Sequence, residues 1–173
     1  MSHQEFWLGG GIKLPTGKYD VDLSDPETEL GDVNSQMGTG SLDFIASAMY
    51  NVAFNKIGIN TSANYKINSA NNSNFKFGNR FTANSFAFYQ THVSKTNLAP
   101  NIGVLYENAA INHLNKSSVE QTGGNVALAA AGLEINRGNV TVGANVQLPF
   151  SQNFAEGQTE AKTRGLIHAT LTF

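Results

Sequence analysis

The chain has no cysteine, only four prolines in 173 residues, and charged side chains at just 14% of its positions. Without cysteine there is no disulfide scaffold and no thiolate metal site, while an oxidising periplasm remains permitted. Long apolar runs are missing too. No stretch approaches the roughly 20 apolar residues that a spanning helix requires, which excludes a helical membrane protein. Cationic excess is also lacking: eleven Lys and Arg stand against thirteen Asp and Glu, for a net charge of -2. No clustered basic field exists for phosphates, so nucleic acid is not an expected partner. Finally, Met-Ser-His-Gln at the start has neither the basic region nor the apolar region of a secretory signal. An exported chain beginning this way reads as mature, recombinant, or the C-terminal portion of a longer precursor.

What is present points to β-structure. Seventeen glycines, eleven phenylalanines, five tyrosines and many asparagines suit a β-rich chain, although a soluble β-sandwich shares that composition. Mean hydropathy is -0.23, which a membrane barrel tolerates because its strands span with about 9–11 residues and only alternate ones meet lipid.

Alternation along the chain is the stronger signal. In Arg164–Phe173, residues Gly165, Ile167, Ala169, Leu171 and Phe173 share one face, and Arg164, His168, Thr170 and Thr172 the other, with Leu166 the exception. The same two-residue period predicts strands over Glu5–Leu14, Ser41–Phe54, Ile57–Asn68, Asn74–Thr91, Leu98–Ala109, Asn125–Asn136 and Asn139–Phe150. Apolar rows such as Phe6-Leu8-Ile12, Ile57-Ile59-Tyr65-Ile67 and Val140-Val142-Val146-Leu148 oppose rows of Asn, Ser, Thr, Lys and Glu. Ile45, Met49, Phe86 and Phe88 break the pattern on the polar side. Phe75 and Phe77 are expected outward on the fourth strand, Pro100 is expected to start the fifth, and the Ala-rich sixth could be a short helix.

Links between these segments alternate in length. Asn55-Lys56, Ser94–Asn97 and Arg137-Gly138 are tight, whereas Pro15–Gly40, Ser69–Ser73, Ala110–Gly124 and Ser151–Thr163 are longer and polar. Outer-membrane barrels sort their connections in this way, with short periplasmic turns and long external loops. The fold class expected is therefore all-β: an antiparallel up-and-down transmembrane β-barrel of about eight strands, forming a single domain over residues 1–173, in the bacterial outer membrane. A soluble lipocalin-like barrel would reverse the faces and place Phe75, Phe77, Tyr65 and Ile57 around an apolar ligand.

The stretch Gly10-Gly11-Ile12-Lys13-Leu14-Pro15-Thr16-Gly17-Lys18, followed by Gly38-Thr39-Gly40-Ser41-Leu42-Asp43-Phe44, resembles a pattern of a bacterial outer-membrane family labelled as MetA-pathway-of-phenol-degradation proteins or transporters. Gln147-Leu148-Pro149-Phe150-Ser151-Gln152 is similar to a later piece of its Bacteroidota-type members. The likeness covers most of the chain and the C-terminal two thirds of such relatives, so the resemblance implies upstream strands and a barrel of about twelve. It also implies passage of small hydrophobic or aromatic compounds.

On this reading the lumen is lined by Glu5, Lys13, Asp43, Asn60, Asn64, Lys66, Lys76, Arg80, Asn101, Glu107, Glu134, Asn145, Gln147 and His168. Lys13 and Asp43 are expected to pair between neighbouring strands. Eight strands enclose only side chains or one small ligand, so an open channel needs more strands, and a plugged structural or adhesion-type barrel stays the alternative. Expected partners are outer-membrane lipid, a small hydrophobic solute, and the barrel-assembly machinery through the terminal Phe173. No cofactor, metal or catalysis is expected. His3, His92, His113 and His168 lie in separate elements without metal spacing or a nucleophile elbow. The carboxylate-rich Asp20–Asp32 fails the EF-hand pattern, having Asp25 where glycine is needed and Gly31 where the bidentate glutamate belongs, and it reads as a solvated surface loop.

Overall fold

The computed structural model describes residues 2–17, 19 and 36–173. The acidic segment and Lys18 lie outside the described residues. The chain forms an antiparallel meander of long strands: β1 (Ser2–Lys13), β2 (Asp43–Phe54) and β3 (Ile57–Ile67), then the two-residue β4 (Phe75–Lys76), β5 (Arg80–Tyr89), β6 (Thr91–Val93) and β7 (Thr96–Ala109). The short β8 (His113–Leu114) and β9 (Ser117–Ser118) follow, then β10 (Gly124–Arg137), β11 (Val140–Phe154) and β12 (Arg164–Leu171). The main sheet runs β1-β2-β3-β5-β7-β10-β11-β12, with β6 also on β7. Among the described residues β1 and β12 are its two edges and do not pair with each other, so the sheet is not closed.

Each segment read from the alternation contains strand, the Ala-rich one included, and three departures have physical causes. The Ala-rich segment is β10, not a helix, since ladders to β7 and β11 satisfy its backbone on both sides. Asn74–Thr91 is three strands rather than one. Its first residues leave the main sheet, and β4 pairs with β8, which pairs with β9, as a separate three-stranded sheet. Phe75 is consequently not on an outer face but wholly buried, packed edge-on to Phe77 at 5.0 Å and against Tyr19, Leu114 and Val119. Pro100 lies within β7, not at its start. On the β5 side its position falls between the β6 ladder, ending at Leu98, and the β5 ladder, beginning at Asn101, where no partner awaits an N–H. Lastly, β11 continues past Phe150 to Phe154; the register slips between Ala127↔Ser151 and Leu128↔Pro149, leaving Phe150 as the extra residue of a bulge.

Turns at one end are tight. Asn55 takes φ 56° between β2 and β3, and Gly138 takes φ 61° between β10 and β11, the left-handed geometry that two-residue hairpins demand. Among the described residues, the longer connections, including the one carrying β4 and the one carrying β8 and β9, leave the sheet at the opposite end.

The sheet curls strongly. Arg164 on β12 meets Glu107 on β7 at 2.5 Å, with β10 and β11 between them. By register Arg164 stands beside Gln147, Ala130 and Gly103, four residues along β7 from Glu107. A flat sheet would hold those two Cα atoms roughly 20 Å apart, at about 4.8 Å per strand and 3.3 Å per residue, beyond the reach of both side chains. Only a concave surface brings them together. Beneath this pair, at the same levels of β10, Val126 and Leu128 are wholly buried and Ala130 nearly so.

The convex face carries the apolar rows. Phe6, Leu8, Ile12, Ile57, Ile102, Val146, Leu148, Phe150 and Ile167 are all exposed, as are Ile59, Tyr65 and Leu171. Tyr65 and Ile57 thus stand outside the curl, opposite to their place in a lipocalin-like arrangement. No helix is long and apolar enough to cross a membrane, which says nothing of strands.

Candidate functional site

Two groups of inward residues are brought together by the register. The first unites the Gly-Ile-Lys-Leu-Pro-Thr-Gly and Gly-Thr-Gly-Ser-x-Asp stretches. Lys13 faces Asp43 directly across the β1–β2 ladder, and its Nζ lies 2.9 Å from Asp43 Oδ2 while also donating to Thr39 Oγ1. Ser41 donates to Asp43 Oδ1 at 2.8 Å, the Ser69 N–H at 3.3 Å, and Lys66 Nζ stands 3.4 Å from Oδ2. Gly17 and Gly38 make this possible: a Cβ on Gly17 would lie 2.8 Å from the Gly38 Cα, so only glycines let the two backbones touch. The Asp43 side chain is 0% exposed, yet each carboxylate oxygen has two donors, the arrangement a buried charge requires. This site fastens the sheet end to the loops, since Asn71 donates to the Thr39 carbonyl while accepting from the Ser73 and Phe75 N–H groups.

The second group lines a cavity of about 420 Å³ on the concave face, reaching from β3 to β12. Its walls are Asn60, Phe86, Phe88, Gln90, Ala99, Asn101, Glu134, Ala144, Asn145 and His168. Glycines shape it. Phe88 is the cross-strand partner of Gly58, and its ring tip occupies the space a Gly58 Cβ would need, at 2.2 Å. Phe86 lies likewise across its partner Gly103, 2.5 Å from the Cβ position. The two rings are thereby laid sideways over vacated backbone rather than projecting into the space. Gly143 stands between Glu134 on β10 and His168 on β12, and across it His168 Nε2 comes to 3.9 Å from Glu134 Oε1. Asn101 and Asn145 flank Gly132 in the same way.

Three asparagines of the wall each commit one end to the protein. Asn60 donates to Asn51 Oδ1, Asn101 donates to the Ala99 carbonyl at 3.3 Å, and Asn145 Oδ1 accepts from Gln147 at 3.2 Å. Their remaining amide groups, with Glu134 and His168, offer both donors and acceptors to anything entering. A second hollow lined by Gln90, Thr91, His92, Asn97, Glu134, Asn136 and Thr141 continues this space toward the tight-turn end.

Of the other sequence-read residues, Glu5 bonds His3 at 2.9 Å near the β1 edge, and Asn64 is exposed on β3. Arg80 begins β5 and shares a loop-end depression with Arg164. Glu107 belongs to the Arg164 pair. Lys76 is off the main sheet altogether, on β4 opposite His113, because β4 departs before β5 begins. Sequence reasoning passed over Phe86, Phe88 and Arg164 as members of the site. The signal was there in part, since an inward phenylalanine facing an inward glycine is a coherent pair, but it appears only once the register is known. Among the described residues no cluster of His, Asp or Glu could hold a metal. Neither family models nor curated proteins nor solved structures yield a match to this chain.

Proposed function

We propose that this chain is an outer-membrane β-barrel through which small solutes diffuse passively. The observation that carries the reading is the division of faces on a curled sheet: a convex surface of Phe, Ile, Val and Leu, against a concave one of Asn, Gln, Glu, His and Lys enclosing a cavity. An antiparallel sheet in water buries its apolar face, whereas one in a bilayer turns it outward and keeps the polar face for the lumen. Sorting of long and short connections to opposite ends supports the same reading, with the tight turns periplasmic. Phe173, exposed just beyond β12, is then the end offered to the assembly machinery.

Membership of the phenol-degradation-pathway family of outer-membrane transporters belongs to this proposal. The convergence of its two motif stretches on Lys13, Thr39, Ser41 and Asp43 supports it, because residues far apart in sequence then serve one network. So does the open seam. Trp7 and Met49, cross-strand partners on the inner side of β1 and β2, are 61% and 41% exposed, as they would be if further strands, about four by the resemblance, stood between β12 and β1.

A second reading is favoured by a specific feature. The Glu107–Arg164 pair stands above buried Val126 and Leu128 at the loop side of the concave face, as packing in a plugged structural barrel would. Reconstitution separates the two. In liposomes carrying the refolded chain, swelling in small neutral solutes is the expected outcome; tight membrane association without swelling selects the plugged barrel, and failure to partition into bilayers overturns both.

A further inference from the structure

We propose that the 420 Å³ cavity is a binding site for a small polyhydroxylated solute of monosaccharide size, rather than for an apolar or aromatic one. The inference rests on reading the concave face as the solute-facing lumen. Volume admits such a ligand, since small-molecule sites span roughly 300–1,000 Å³. The chemistry of the wall then selects among ligands of that size. Asn60 and Asn101 spend donors on the protein and keep their Oδ1 acceptors, whereas Asn145 spends its acceptor and keeps its Nδ2 donors. Glu134 adds acceptors, and His168 adds a ring nitrogen whose role depends on its tautomer. Groups of both kinds, placed around one space, match hydroxyls, each of which donates and accepts at once. An apolar solute would desolvate these amides and the carboxylate without replacing their hydrogen bonds, a loss that burying polar groups always carries.

The two phenyl rings complete the match. Because Gly58 and Gly103 let Phe88 and Phe86 lie across the sheet, two aromatic rings line the cavity beside the amides. An aromatic face is the electron-rich part of the ring, and the axial C–H bonds of a pyranose are its electron-poor surface. A sugar can thus set C–H bonds against the phenyl rings and hydroxyls against the amides, while a phenol would use one hydroxyl and leave most of the wall unpaired.

The test uses the full chain refolded in a sugar-free amine-oxide detergent, with D-glucose and phenol as the probes, followed by saturation-transfer NMR. Saturable glucose binding is expected, together with weaker or absent phenol binding. Phe88→Leu, which keeps apolar volume but removes the aromatic face, and Asn145→Leu, which removes a donor, should each weaken glucose binding roughly threefold to tenfold. Heat-modifiable mobility on gels establishes that both variants fold. Phenol binding that exceeds glucose binding, or glucose binding unmoved by both substitutions, overturns the proposal. Liposome swelling is read in parallel, so that the two ideas fail separately. Swelling without saturable glucose binding sinks the ligand class alone, and glucose binding without swelling supports the site while sinking conduction.

Discussion

Asp43 is the residue whose surroundings most constrain what a substitution does. Its carboxylate is fully buried, whereas the Lys13 and Lys66 side chains that face it are 34% and 27% exposed. The consequences of breaking the network are therefore asymmetric. Removing both lysines strands a buried anion with only Ser41 and the Ser69 N–H as donors, and stranding a buried charge costs about 3–5 kcal/mol. Asp43→Asn strands two cations that can turn to water, and should cost about 1.5–3 kcal/mol, the value of a lost charged hydrogen bond. Equilibrium urea unfolding of the chain in lipid should thus rank the Lys13→Ala/Lys66→Ala double variant well below Asp43→Asn. The reverse order would mean that the lysines, not the aspartate, are the desolvated partners. At this scale the sequence told half the story. The Lys13–Asp43 pair and the approach of Lys66 follow from inward charges on consecutive strands, but the shares of Ser69 and Thr39 depend on loop paths that no alternation reveals.

At the scale of elements, the long strands were legible because most impose a two-residue period over ten or more positions, and a sheet with one apolar and one polar face keeps that period intact. The three-stranded sheet of β4, β8 and β9 was not. Two-residue strands have no period to read, and Phe75, Phe77 and Lys76 continued the alternation of β5 by chance while belonging to another layer. Its independence has a measurable consequence. Phe75 is the buried centre of that small cluster, packed against Phe77, Leu114, Val119 and Tyr19. Phe75→Ala removes about 3–5 kcal/mol of burial and packing, more than three two-residue strands can spare. Trypsin should then cut faster after exposed Lys116, at the β8–β9 turn, while the melting of the main sheet stays within a degree or two. Equal loss in both would show that the loop sheet and the main sheet unfold as one unit.

For the whole molecule, the sequence conveyed which face is apolar but not whether the sheet closes, because closure depends on curvature and shear that emerge from bulges, glycines and strand count together. The single tryptophan can report on both. Trp7 points inward on the edge strand β1, between outward Phe6 and Leu8, and is 61% exposed. If the convex face meets lipid, brominated acyl chains should quench Trp7 weakly, and they should quench strongly a tryptophan moved one residue by Phe6→Trp with Trp7→Phe. Aqueous iodide then distinguishes the two ways of filling the seam. With further strands between β12 and β1 the lumen is wide enough to hold water, and iodide reaches Trp7. With β1 paired directly to β12, eight strands leave an interior filled by side chains, and Trp7 is shielded from iodide as well as from lipid. Strong quenching of Trp7 by brominated chains, with position 6 open to iodide, would instead reverse the two faces and remove the reading of the concave side as the lumen.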